Sequence, residues 1–329
     1  MATDLSRRTA LRSAFVLTFG AAALSGCSDG STTAQLSGSG GGPVEVSVGV
    51  IPILDVAPLY LGIQKGIFTR HGLEVSAQAA QGGAAIVPAV LSGQNQFGFS
   101  NVVSLLTARE KGVPLLSVAG GVSSTGDPAA DFNAVLVGKD SLLRTGKDLE
   151  GHKVAINTLN NIGDTTVKSA VAKAGGDPAK VGFVEIAFPD MAAQLAAGRV
   201  DAAWASEPFV SQIKAAGGRV LLDSLTETYP TLQVAQWFTS EQLKQRNPDL
   251  IARFTAAIKE SMTYASGHAE EVRAVLTTYT KIGAEVAAKV VLPKWPAELD
   301  KASTTAVGRA AQTYGTLKQA PDVDGLFGG

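Results

Sequence analysis

The chain has 329 residues, 45% of them hydrophobic and 17% charged, with a formal net charge of −1. That length admits two domains, and that composition excludes disorder for most of the chain. The near-neutral charge gives no electrostatic footprint for nucleic acid, and a single cysteine, Cys27, excludes an internal disulfide framework or a multi-cysteine metal site.

Residues 1–26 read as an export signal. Arg7, Arg8 and Arg12 form a basic front, an apolar stretch runs from Ser13 to Leu24, and small residues follow. The apolar stretch is about half the length a bilayer requires. Ser6-Arg7-Arg8-Thr9-Ala10-Leu11 resembles a twin-arginine export motif, with Ala10 where that motif usually has Phe, so export by the Tat or the Sec route stays open. Leu24-Ser25-Gly26-Cys27 resembles a lipobox, which implies a diacylglycerol on Cys27 and anchorage at the outer face of the cell membrane. Residues 27–43 supply the lipidated Cys and a Gly/Ser-rich linker that cannot pack a core.

From Val44 the pattern alternates strand and helix. Strand Val44–Ile51 leads through Pro52-Ile53-Leu54-Asp55 into a helix over Ala57–Lys65, with Asp55 placed either to cap it or to meet a ligand. Gly72 turns the chain into strand Leu73–Ala79. Gln81-Gly82-Gly83-Ala84-Ala85 opens a helix to Leu91, and its glycines let backbone N–H groups face a guest. Strand Gln96–Phe99 ends in Ser100-Asn101, which open the helix Val102–Lys111, and strand Pro114–Gly121 follows. This order predicts parallel strands with right-handed crossovers.

A polar loop to Asp131 precedes strand Asn133–Gly138, the first crossover to a second lobe. Strand His152–Ile156 ends in the amide-rich loop containing Thr158, Asn160 and Asn161, ahead of helix Asp164–Ala174. Strand Val181–Ile186 leads to Asp190 and helix Met191–Ala197. Gly198 then ends that helix, Val200–Ala205 is too apolar for an exposed strand, and Ser206, Glu207 and Pro208 read as cap, first-turn acid and helix-start proline. After strand Arg219–Leu222, Leu232–Phe238 returns the chain to the first lobe. Helices are predicted over Pro248–Tyr264, Glu270–Lys281, Ala284–Val291 and Asp300–Leu317, and the tail after Ala320 carries too little apolar content to assign.

Gly198–Phe209 (G-R-V-D-A-A-W-A-S-E-P-F) resembles the signature of ABC-transporter solute-binding proteins of the nitrate/sulfonate/taurine and thiamine-precursor type. Pro58–Phe68 with Gly72–Val75, Asp148–Ile156 and Gln194–Asp201 agree with it in order, and the likeness spans roughly residues 44 to 290. The resemblance implies an α/β, two-lobed periplasmic-binding-protein fold of type II, each lobe a mostly parallel sheet flanked by helices, joined by two hinge crossovers. It implies a monomer that hands a small-molecule ligand to an ABC permease and its ATPase subunit, with no cofactor, metal or catalysis. On this basis residues 44–132 with 232–329 form lobe I and 133–231 lobe II. The expected ligand contacts are Asp55, Gly82, Gly83, Ala84, Ser100, Asn101, Thr158, Asn160, Asn161, Asp190, Trp204 and Glu207.

Two alternatives share the fold: a pyrimidine-synthase-like enzyme and a ligand-sensing receptor module. The enzyme relies on a reactive His and a cysteine-rich site, whereas the sole Cys here lies at the export segment. His71, His152 and His268 are far apart and unpaired at metal-ligand spacing. The predicted cleft loops contain Asp55, Asp164, Asp190 and Glu207 but no Lys, Arg or His, which leans toward a neutral or amine-bearing ligand over nitrate or sulfonate. Trp204 and Trp237 could each stack on a flat ligand or fill core, and Trp295 reads as peripheral.

Overall fold

A computed structural model describes residues 42–329; the export signal, Cys27 and the linker as far as Gly41 lie outside them. The strands among the described residues are β1 (Val44–Val50), β2 (Leu73–Ala79), β3 (Phe97–Asn101), β4 (Leu115–Ser123), β5 (Asn133–Val137), β6 (Lys153–Ile156), β7 (Gly182–Glu185), β8 (Ala202–Ser206), β9 (Arg219–Leu222) and β10 (Gln233–Ser240). They form two five-stranded sheets of equivalent topology, ordered β2-β1-β3-β10-β4 and β7-β6-β8-β5-β9.

In each sheet four strands run one way and one runs against them. β1 pairs parallel with β2 and β3, while β10 lies antiparallel between β3 and β4. β6 pairs parallel with β7 and β8, while β5 lies antiparallel between β8 and β9. The reversed strand is in both cases the first one laid down after the chain changes sheet, so the two crossovers produce the mixed sheets. The helix between each pair of parallel neighbours covers a sheet face, so the central strands are buried on both faces and read as unbroken apolar runs. β3, β5, β8 and β10 are buried at every residue.

The core of the first sheet is aromatic. Phe97 and Phe254 stack at 3.7 Å between centroids, and Trp237 meets Phe254 edge-on at 6.2 Å. Phe254 lies on the long helix Pro248–Gly267, which Asn247 caps through a 3.0 Å bond from the Leu250 N–H. Its buried residues, Leu250, Phe254, Ala257, Ile258, Ser261, Met262 and Ala265, recur at helical spacing on one face. That face lies so close to helix Ala57–Gln64 that a Cβ on Gly62 would sit 2.1 Å from Ser261 Oγ.

Some expected elements shift. The helix expected over Ala284–Val291 is one turn, Ala284–Ala287, because the chain must free Val290 and the Val291 N–H for contacts elsewhere. The unassigned tail contains a short helix, Val323–Leu326, capped by Asp322, with Leu326 fully buried.

The two crossovers run side by side. The Ser124 N–H donates to Leu232 O at 2.9 Å, tying the outgoing segment to the returning one. Asp131 folds the outgoing loop on itself, accepting from the Ser124 hydroxyl and from the N–H groups of Thr125 (3.2 Å) and Phe132 (2.8 Å).

Candidate functional site

The C-terminal ends of β1, β3 and β8 converge on a small cavity between the two sheets, where open α/β architectures place ligands. The space left in the cavity is about 30 Å³, so the lining residues stand nearly closed on one another. Phe99, Phe188 and Trp204 supply aromatic walls, and Ile51, Ile53, Ile162 and Val234 supply aliphatic ones. The polar lining is Asp55, Asn101, Asn133, Asn157 and Ser206.

Asp55 follows β1 in a single 3-10 turn, Leu54–Val56, and caps no helix. Its backbone carbonyl accepts from Trp295 Nε1 at 3.0 Å, and its Oδ1 accepts from Ser206 Oγ at 3.0 Å. Trp295 is therefore no peripheral residue; it is 6% exposed and fixes the turn that presents Asp55. Burial pushes the Asp55 carboxyl up to about 7; the Ser206 bond works against that rise, and the neighbouring Asp131 adds to it.

Ser206 ends β8 and gives its hydroxyl to Asp55; the N-cap of the helix Phe209–Ala215 is Pro208, two residues on, which makes no side-chain cap bond. Trp204 is 3% exposed and lines the cavity while Nε1 donates to Ser224 Oγ at 3.1 Å. Asn101 is held by Ser104: its Oδ1 accepts from the Ser104 N–H at 2.9 Å and its Nδ2 donates to Ser104 Oγ at 3.0 Å. Asp55, Asn101 and Trp204 are thus brought together in one lining.

The other expected contacts lie elsewhere. Gly82 is at the mouth, so close to the opposite sheet's loop that a Cβ would fall 2.5 Å from Thr158 Oγ1. Gly83 makes room for Ser100, whose Oγ would lie 2.0 Å from its Cβ, and Ala84 is exposed. Asn161 caps helix Ile162–Lys173, accepting from the Gly163 N–H at 2.9 Å while Asp164 bonds back to its N–H at 2.8 Å. Asn160 is exposed with φ +55°. Asp190 is exposed on an outer groove with Gln81, Glu185 and Arg199.

Glu207 is fully buried but lies outside the cavity lining. Its Oε2 accepts from the Ser211 N–H at 3.0 Å, and its Oε1 from Ser211 Oγ at 2.8 Å and from the Val291 N–H at 3.2 Å. Its backbone carbonyl accepts from the Leu54 N–H at 2.9 Å. Burial raises its carboxyl above the ordinary range and the Ser211 bonds oppose that. These contacts join the helix after β8 to segments of the first sheet's layer.

Sequence reasoning missed Asn133 and Phe188, and reached Asn157 only as the first residue of the amide-rich loop expected to meet the ligand. Asn133 opens a strand and was read as a backbone element only. Asn157 lies in the amide-rich loop, but its Nδ2 reaches Gln81 O across the mouth at 3.3 Å, a contact with no local signal. His71 pairs with Glu260 at 2.7 Å and His152 with Asp201 at 3.4 Å, while His268 Nδ1 lies 2.7 Å from Tyr264 O.

The profile of the family described as NMT1/THI5 like matches residues 54–272 of this chain. The chain belongs to the NMT1/THI5-like family. A protein of Brucella abortus described as a binding protein is 21% identical over 221 residues, covering 67% of this chain. The chain spans 66% of that relative's length. Two solved structures share the NMT1/THI5-like chain's fold. The alkanesulfonate-binding protein SsuA from Xanthomonas axonopodis pv. citri, bound to MOPS, aligns with a TM-score of 0.70 at 18% identity over 86% of this chain and 96% of its own. The ligand-binding component of an ABC-type import system from Staphylococcus aureus aligns with a TM-score of 0.74 at 14% identity over 86% of this chain and 98% of its own. The two-lobed periplasmic-binding-protein architecture expected from the NMT1/THI5-like motifs is the architecture found.

Proposed function

We propose that the protein is the extracytoplasmic solute-binding lipoprotein of an ABC importer. It captures a small organic, nitrogen- or sulfur-containing solute in the interlobe cleft and delivers it, as a monomer, to a permease with its ATPase subunit. The observation that carries this reading is a cavity whose polar groups come from both sheets, Asp55 from one and Ser206 from the other, bonded across the gap. A ligand touching both sides stabilises the closed arrangement by its differential affinity for open and closed states. We assign residues 44–132 with 232–329 to one lobe and 133–231 to the other; β1 to β4 with β10, and β5 to β9, divide between the sheets in the same way, which supports the assignment. Lipidation at Cys27 would hold the domain at the membrane through the Gly/Ser-rich linker.

The test is native mass spectrometry of the exported protein extracted from membranes, with release and identification of any bound small molecule. The expected result is a mass increment of a diacylglycerol-modified Cys27 and one noncovalent solute per monomer. A protein that is released unlipidated, or that converts an added solute chemically, overturns the lipoprotein or the binding reading respectively.

A further inference from the structure

The last helical stretch of the chain touches the layers of both sheets. The helix Lys301–Thr313 is bonded to the first sheet through Ser303 and Thr304, yet it packs beside the helix Ile162–Lys173 of the second. Gly315, at φ +81°, turns the chain out of it. The segment that follows is pinned to the helix Val102–Glu110: Glu110 Oε1 accepts from the N–H groups of Lys318 and Gln319, both at 2.7 Å, and Arg109 Nε donates to Asp322 at 2.7 Å. Leu317 is buried under this segment. The Tyr314 carbonyl and the Thr316 hydroxyl are thereby held toward the layer of the second sheet.

Two side chains on one face of the helix Ile162–Lys173 reach them. Thr165 Oγ1 lies 3.4 Å from Thr316 Oγ1, and Lys168 Nζ donates to Tyr314 O at 3.4 Å. Tyr314 is the C-cap of its helix, so the Lys168 ammonium meets the negative end of the helix dipole. The ammonium has no other hydrogen-bond partner among the described residues. The Phe183 ring, 5.6 Å from Nζ, supports the long side chain. Asp164, one turn back on the same helix, attracts Lys168 but turns an oxygen to the Asn161 N–H.

This contact and the one made by Glu207 lie on opposite faces of the second sheet. In the order β7-β6-β8-β5-β9, the helix Ile162–Lys173 leaves β6 for β7 and the helix Phe209–Ala215 leaves β8 for β9, in opposite directions. Right-handed crossovers then set them on opposite faces.

Resting on the two-lobed closure in the importer reading, we propose that Tyr314–Leu317 is a strap that Lys168 and Thr165 of the other lobe engage on closing and leave on opening. Closure is gripped on both faces, and the two grips differ in kind. Glu207 is fully buried, so salt reaches its bonds little, whereas Lys168 is half-buried and its attraction to a helix end is screened. Ionic strength therefore sets how firmly the lobes stay together, and it acts through Lys168.

The test measures the distance distribution between spin labels on the full chain. The labels sit at Gln78→Cys and Ala193→Cys, two exposed positions, one on each lobe, with Cys27→Ser removing the native thiol. The expected result is a short-distance population that falls roughly twofold to fivefold against the long one as salt rises from about 0.02 to about 0.5 M. Lys168→Met, which keeps the stem and drops the charge, should lower the short population by a similar factor and make it insensitive to salt. Lys168→Glu, which sets an anion at the helix end, should lower it further and make it rise with salt. If Lys168→Met does not fold, Lys168→Gln carries the same expectation. Distances that salt and the Lys168 variants leave unmoved, but that shift when the protein is stripped of small molecules by unfolding and refolding, overturn the strap alone. A distance fixed under every condition, stripping included, overturns the strap and the closure in the importer reading together.

Discussion

Ser206 and Asp55 meet across the gap between the two sheets: Ser206 Oγ donates to Asp55 Oδ1 at 3.0 Å, and both side chains are buried. One residue ends β8 and the other follows β1, so the bond reports directly on whether the sheets are drawn together. Burial between the sheets leaves Asp55 with little solvation, which is the main reason its carboxyl is pushed up to about 7, while the Ser206 bond opposes that rise.

That displacement fixes a pH dependence. Between the unfolded value of 3.8 and the folded value of about 7, the folded protein holds a proton on Asp55 that the unfolded chain has lost. Stability is therefore highest below the unfolded value and declines as pH rises through about 7. Asp223, beside Asp131 at the crossovers and pushed up to about 6 chiefly by burial, acts with the same sign. Melting temperature should be higher at pH 5 than at pH 8. Asp55→Asn should raise the pH 8 value and shrink the difference, by an amount on the order of 1.4 kcal/mol per unit of pKa displacement removed. Melts of both proteins at the two pH values decide it; an unchanged difference in Asp55→Asn would remove Asp55 from the account.

Glu207 should govern closure more than ligand chemistry. Its carboxylate joins Ser211 to the Val291 N–H, and its carbonyl takes the Leu54 N–H, so it clasps segments from the two layers. Glu207→Ala leaves buried N–H groups unpaired, and each costs about 1–3 kcal/mol. The expected outcome is a loss of about 2–4 kcal/mol in urea unfolding, with a larger radius of gyration in solution scattering of the unliganded protein. Ser211→Ala should cost less, about 1 kcal/mol. Equal stability and size in Glu207→Ala and the parent protein would sink the clasp.

Much of the fold was legible because its signals are local. The Gly198 turn adopts φ +65° at the end of helix Met191–Ala196, as expected of a glycine at a helix C-terminus; Asn161, expected as a ligand contact ahead of a helix from Asp164, instead caps a helix that begins at Ile162. The site was less legible. Glu207 and Asp55 both look like helix-start acids in sequence, yet one is a clasp and the other lines the cavity, and only the packing of distant segments separates them. Trp295 and Asn133 gave no local signal, because the role of each depends on a partner or a space formed by residues far along the chain. Glycines 82 and 83 were read as letting backbone N–H groups face a guest, while the observed demand on them is close approach.

Gly82 offers a way to separate closure from folding. Its φ of −177° is extended backbone that any residue adopts, so Gly82→Ala carries no local strain. The added Cβ would nonetheless lie 2.5 Å from Thr158 Oγ1 on the opposite side of the mouth. The expected outcome is a shift toward the open arrangement, seen as a larger scattering radius, with the urea midpoint changed by less than about 1 kcal/mol in equivalent free energy. Pairing Gly82→Ala with Thr158→Ala should restore compactness, since the obstructing hydroxyl is gone. A compact Gly82→Ala single variant would show that the mouth has slack.

Gln236 should hold the C-terminal helix to the first sheet. In the middle of β10, its Oε1 accepts from Ser117 Oγ at 2.6 Å, and its Nε2 donates to Gln233 Oε1 at 2.8 Å and to Thr304 Oγ1 at 3.1 Å. Gln233 in turn accepts from the Asp300 N–H at 3.1 Å, and its own N–H donates to Ser303 Oγ at 2.7 Å. The helix Lys301–Thr313 is thus anchored by a fully buried polar network, where each partner left unmatched is expensive. Gln236→Leu keeps bulk but strands the Ser117 hydroxyl, takes the donor from Thr304 Oγ1 and leaves Gln233 Oε1 with the Asp300 N–H alone, and should cost about 2–4 kcal/mol. Gln236→Glu sets a carboxylate oxygen against Gln233 Oε1, so its cost should grow as pH rises above the range in which a buried carboxyl stays protonated, a direction Gln236→Leu does not share. Hydrogen exchange separates the network from simple packing: loss of protection should concentrate in Lys301–Thr313 and β10, leaving β5 and β8 of the other sheet protected. Uniform loss over both sheets would mean that Gln236 serves the global core and does not specifically anchor this helix.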